Sequence, residues 1–121
     1  YMAQLERERL RAQYGDLLDL ESVADAELVD SMYFSVFPNW HPWGSFNAIN
    51  YRFRPHGSNP DEAIMEVMLY VPSPGGENRP PPAKVHWLGP DDDWTEAPEL
   101  GQLAMIFNQD VFNLPKIQLG L

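Results

Sequence analysis

The residues able to do chemistry concentrate near the C-terminal end, in the run from Phe107 to Leu121, which reads FNQDVFNLPKIQLGL. On a helix, Leu103, Ile106, Phe107 and Asp110 fall on one side, because residues three, four and seven apart are neighbours there. A carboxylate on an apolar face is costly unless a cation or a metal compensates it. Asp110 is therefore a candidate metal ligand at the floor of an apolar cavity. Periodicity alone favours the plainer account, a surface or capping aspartate in an ordinary amphipathic helix.

Other chemistry is sparse. The three histidines, His41, His56 and His86, are widely spaced. His41 lies in an aromatic, loop-like cluster (Asn39-Trp40-His41-Pro42-Trp43) and His56 abuts a turn at Gly57, so hydrogen-bonded surface roles suit both. His86, beside Trp87, suits a cavity lining and sheet packing equally. With no cysteine, the chain has no disulfide, no thiolate nucleophile and no Cys-based zinc or iron–sulfur site. No Ser-His-Asp order, phosphate loop or glycine fingerprint occurs. Asp91-Asp92-Asp93 lacks the glycine and terminal glutamate of a calcium loop and reads as an acidic loop.

The elements that must position these groups follow from the period of the sequence. Residues 2–14 are strong helix formers with a sparse stripe of Met2, Leu5, Leu10 and Tyr14. Glu6/Arg9 and Glu8/Arg11 are charge pairs on the outer side, and Gly15 is a stop. A short helical turn is expected at residues 25–29. The period then changes to two. Strands are expected over 31–37, 46–54 (Ile49, Tyr51 and Phe53 on one face) and 63–71 (Met65, Val67, Leu69 and Val71 on one face), with a turn at 56–61. Proline-rich residues 72–83 predict an extended loop, and 84–88 a short strand or extended segment. Thr95 is a candidate N-cap for a last helix running from about Ala97 to the chain end, bent near Pro115. Helix, antiparallel strands and long terminal helix together predict an α+β fold with a sheet curling around that helix.

A length of 121 residues suits one domain. Four Trp, five Tyr and six Phe argue for a packed core rather than disorder. The formal charge of −10 opposes binding to nucleic acid or anionic membrane. No apolar run is long enough to span a bilayer and no signal peptide is recognisable, which fits a cytoplasmic protein. Both ends fit a piece of something longer.

The pattern D-x-x-N-x-x-x-x-Q-x-G from Asp110 to Gly120 resembles the iron-carboxylate segment of the large subunits of Rieske non-heme iron ring-hydroxylating oxygenases. Upstream, Val36-Phe37-Pro38-Asn39 resembles the F-P-N strand segment of the same catalytic domains, and Tyr51-Arg52-Phe53-Arg54-Pro55 the strand that follows in some members. The likeness spans roughly residues 20–121. It implies a helix-grip domain, here incomplete. Asp110 would be one ligand of mononuclear Fe(II), with Asn39, Leu103, Ile106 and Phe107 as substrate-pocket walls and Asn113 and Gln118 as supporting polar groups. It also implies an apolar or aromatic substrate, O2, and a [2Fe–2S] cluster on a domain absent from this chain. The family's D-x-x-H-x-x-x-x-H segment, which supplies two imidazoles, is absent here too, so one carboxylate remains of a three-ligand set. The resemblance thus implies a catalytic-domain fragment, inactive alone, whose uncovered apolar surface favours a homo-oligomer. A stand-alone helix-grip module that binds a small molecule without redox chemistry is the alternative.

Overall fold

The computed structural model describes residues 1–44, 46–73 and 80–120. The chain forms two compact units, Tyr1–Pro80 and Pro81–Leu121.

The first unit opens with helix α1 (Met2–Tyr14), which ends at Gly15 with φ 56° and ψ −132°. Side chains with a Cβ rarely adopt that conformation, which is why glycine stands there. A 3-10 turn (Gly15–Leu17) and helix α2 (Asp25–Val29) follow, and the Ala24 amide at the start of α2 donates to the Glu27 carboxylate at 2.9 Å. The apolar stripe of α1 packs on this return. Ala3, Leu10, Leu20 and Leu28 are buried together, with Tyr14, Leu18 and Val23 against them. Burying Leu10 completely stabilises the pair by about 1.5–3 kcal/mol. Arg7 ties the two stretches with three bonds, to Asp25 Oδ1 (2.6 Å), the Val23 carbonyl (2.6 Å) and the Leu20 carbonyl (3.3 Å). Glu6 pairs with Arg9 as its spacing predicts. Arg11, by contrast, reaches Glu21 rather than Glu8, because the chain returning after α1 brings that carboxylate alongside.

Three antiparallel strands complete this unit, in the order β1 (Trp40–Pro42), β2 (Ile49–Pro55) and β3 (Ala63–Leu69). The register places Tyr51 between His41 and Val67, and Phe53 opposite Met65. One face therefore collects His41, Ile49, Tyr51, Phe53, Met65, Val67 and Leu69. The opposite face carries Arg52 and Arg54, both paired to Glu66, whose carboxyl is held below its ordinary range by the Arg52 bond first and the Arg54 bond second. The β2–β3 turn uses Gly57 at φ +63°.

Two strand expectations change. Residues 31–37 form no regular strand. They run beside residues 40–44 through bonds such as Phe34 N–H to the Pro42 carbonyl (3.0 Å) and Val36 N–H to the Trp40 carbonyl (2.7 Å), with bridges only at Tyr33–Trp43 and Val36–Trp40. The expected aromatic loop at 39–43 instead supplies edge strand β1. Pro42 accepts there from the Phe34 N–H but has no N–H to donate in return, which leaves the pairing with 31–37 incomplete. The expected loop at 72–83 lies partly outside the described residues.

In the second unit, residues 84–88 are extended without strand pairing, and two 3-10 turns (Trp94–Glu96 and Pro98–Leu100) precede helix α3 (Leu103–Leu119). The last helix thus starts six residues later than Ala97. Pro98 opens a 3-10 turn, and Gly101 at φ 54° separates that turn from α3. Thr95 is not the cap. Asp93 caps the first turn by accepting from the Thr95 amide at 2.8 Å. Helix α3 continues through Pro115, which cannot donate to the Val111 carbonyl.

Candidate functional site

Helix α3 is held by the turns before it, and that contact decides which way its side chains point. Phe107 is buried, with its ring centroid 5.0 Å from that of Trp94, and Ala97 and Ala104 are buried as well. Asn108 Oδ1 accepts from the Trp94 amide at 2.8 Å, while Asn108 Nδ2 donates to Asp93 Oδ1 at 2.7 Å. Asp93 Oδ1 also accepts from Thr95 Oγ1 at 2.6 Å. These bonds lower the Asp93 pKa to about 2, the Thr95 hydroxyl contributing most and Asn108 next.

The covered arc of α3 is therefore Ala104, Phe107, Asn108 and Val111, with Leu103 half-buried at its margin. Ile106 and Asp110 are exposed. The stripe expected to share one side runs from covered to open: Phe107 is inside, Leu103 intermediate, and Ile106 and Asp110 outside. Around Asp110 on the helix surface lie Ile106, Leu114 and Ile117, which are 53%, 45% and 60% exposed. Among the described residues the Asp110 carboxylate takes part in no hydrogen bond or ion pair. Asn113 and Gln118 are exposed, and their side chains likewise bond to nothing described.

Asn39 belongs to the first unit. It is half-buried, and its Nδ2 donates to the Phe53 carbonyl at 2.6 Å, fastening the turn after Phe37 to β2. The histidines each have a local partner. His41 stacks on Tyr33 at 5.7 Å and has Nδ1 3.2 Å from Ser35 Oγ. His56 Nδ1 lies 2.8 Å from Glu62, and His86 Nδ1 lies 3.3 Å from Glu99.

Among the described residues no group of three His, Cys, Asp or Glu side chains is arranged to hold a metal ion. Asp110 suits one position of an iron site by its donor chemistry, but the described residues by themselves do not make up such a site. No helix among them is long and apolar enough to cross a membrane. Comparison with known protein families, curated proteins and solved structures gives no match for this chain.

The sequence reading missed Asp93 and Asn108, the two side chains that fix the front of α3. The available signal was Asp-x-Thr, a short side-chain turn spacing, inside what reads as a plain acidic run.

Proposed function

We propose that this chain is part of the catalytic domain of a Rieske-type ring-hydroxylating oxygenase, with a helix-grip fold in the intact protein. Its share is the Asp110 carboxylate ligand and part of an apolar pocket. The two imidazoles and the iron–sulfur cluster come from sequence outside these 121 residues. One observation carries the reading: among the described residues Asp110 is an unpaired carboxylate amid exposed Ile106, Leu114 and Ile117. Those apolar groups favour being covered, at about 25 cal/mol per Å2. An apolar cover would strand a carboxylate at a cost of several kcal/mol, so whatever covers this face must bring positive charge or hydrogen-bond donors. A metal held by imidazoles meets that requirement, and the D-x-x-N-x-x-x-x-Q-x-G and F-P-N segments supply the family context. In the intact enzyme the substrate is apolar or aromatic and the co-substrate is O2. Leu103 and Ile106 would line the part of the pocket beside Asp110, and Asn113 and Gln118 would support the carboxylate.

The test uses the natural reading frame that contains this segment. Purified protein is expected to show a cluster absorption and one further iron per chain. Asp110→Ala should remove the further iron while the cluster spectrum stays unchanged. Undiminished iron in that variant would refute the ligand role. A reading frame lacking two-Cys-two-His and two-His segments would favour a helix-grip binding module without redox chemistry.

A further inference from the structure

We infer that Asn108 and Asp93 form a clamp that sets the rotation of α3 about its own axis, and with it the direction in which Asp110 is presented. The Asn108 side chain bonds in two directions, to the Trp94 amide at 2.8 Å and to Asp93 at 2.7 Å, and Phe107 is wedged beside it against Trp94. Successive helix residues turn by about 100°, so Asp110 lies about 200° from Asn108, on the far side of the helix from the clamp. A carboxylate stands about 5–6 Å from the helix axis, so a rotation of about 20° moves it about 2 Å. Ligand geometry tolerates about 0.5 Å. On the covered side Phe107 against Trp94 opposes such a rotation without a directional bond. Packing on the outer arc does not oppose it, because among the described residues its apolar side chains have no partner that distinguishes one azimuth from the next. The two directional bonds of Asn108 do distinguish them. Asp93 makes the clamp firm: its Oδ1 collects Thr95 N, Thr95 Oγ1 and Asn108 Nδ2, so the acceptor is itself immobilised. Asn108 is thus a positioning residue, and its functional consequence rests on reading Asp110 as a ligand.

The chain has no cysteine, so single thiols can report the azimuth cleanly. Ile106→Cys places a thiol on the open side and Val111→Cys one on the covered side. In the parent background the thiol at 106 should label much faster than that at 111. Asn108→Leu removes two hydrogen bonds at similar volume and should raise labelling at 111 by about tenfold, with helical circular dichroism retained. Asn108→Asp adds a readout that a purely space-filling role would not move. Two facing carboxylates repel, so the contrast should be lost, and adding Asp93→Asn removes one charge and should restore it. Parent-like contrast in Asn108→Leu or in Asn108→Asp, or no recovery when Asp93→Asn is added, would overturn the clamp. If Asn108→Leu loses its helix, Asn108→Asp with and without Asp93→Asn decides. In the natural full-length protein, Asn108→Leu should lower the further iron without changing the cluster spectrum. If Asp110→Ala lowers that iron and Asn108→Leu does not, the clamp's functional role fails while the ligand reading stands. If neither lowers it, the ligand reading itself fails.

Discussion

Replacing Phe107 by alanine tests the sidedness of α3, on which the placement of Asp110 depends. Phe107 is 1% exposed and sits on Trp94, whereas its neighbour Ile106 is 53% exposed. Truncating a buried phenylalanine costs about 3–5 kcal/mol, of which the ring pair accounts for about 0.5–1.5. A unit of about forty residues has roughly 2–6 kcal/mol of stability in total, at about 0.05–0.15 kcal/mol per residue. Phe107→Ala should therefore abolish most of the protection of this unit. Ile106→Ala should cost no more than about 1 kcal/mol, since the side chain is half in water already. Because the four tryptophans are divided between the two units, Trp40 and Trp43 in one and Trp87 and Trp94 in the other, bulk fluorescence would mix their signals. Amide hydrogen exchange read by mass spectrometry on peptides from 93–119 isolates the relevant helix. Near-complete exchange in Phe107→Ala beside near-parent protection in Ile106→Ala is the expected pair. Equal losses in both would mean that Ile106 is covered, and the open side of α3 would then have to be drawn elsewhere.

Four further outcomes follow from the same structure. Asp93 has its pKa depressed from 3.8 to about 2, so its contribution is complete above pH 3.8 and is lost as the pH falls through 2; Asp93→Asn should flatten the acid-induced loss of exchange protection in 93–119. Glu66 is likewise lowered by Arg52 and Arg54, so Glu66→Gln should lower the urea midpoint slightly at neutral pH and converge with the parent once Glu66 is protonated below its depressed pKa. Gly15→Ala puts a side chain at φ 56° and ψ −132° and should cost about 1–3 kcal/mol through backbone strain, since no atom lies within 4 Å of the added methyl. Met105, Phe112 and Leu119, seven residues apart and 71%, 66% and 88% exposed, form an open apolar seam that should make the isolated chain self-associate at tens of micromolar. Sedimentation equilibrium checks this, and Phe112→Glu should restore the monomer.

Periodicity carried the regular elements well. The α1 stripe, the Gly15 stop, the alternation of Ile49-Asn50-Tyr51-Arg52-Phe53 and the Gly57 turn each depend on residues adjacent or nearly adjacent in sequence, so local pattern suffices to read them. Partner-dependent features were less legible. Residues 31–37 have the composition of a strand, yet they make only bridges, because the arm they pair with, 40–44, turns back after a very short connection and spends its other edge on β2. Arg11 has Glu8 three residues before it and still pairs with Glu21, a choice set by where the chain returns. The start of α3 is of the same kind. Ala97, Pro98 and Glu99 favour a helix start by propensity, but the bonds of Asp93 and the bend at Gly101 hold residues 94–100 in two separate 3-10 turns.

The candidate site marks the limit of local reading most sharply. The spacing of Leu103, Ile106, Phe107 and Asp110 is compatible with one shared helix side about 100° wide, and the sequence does not say where the edge of the covered arc falls within it. That edge is set thirteen to fifteen residues away along the chain, where Trp94 and Asp93 engage Phe107 and Asn108. Moving the covered arc by one residue would bring Asp110 under the turn, where Asp93 already sits as an anion and a second carboxylate would be repelled. The electrostatics of the clamp therefore favour turning Asp110 outward. An outward carboxylate flanked by Ile106, Leu114 and Ile117 can be covered at low cost by a partner that brings positive charge or hydrogen-bond donors, and not by an apolar one.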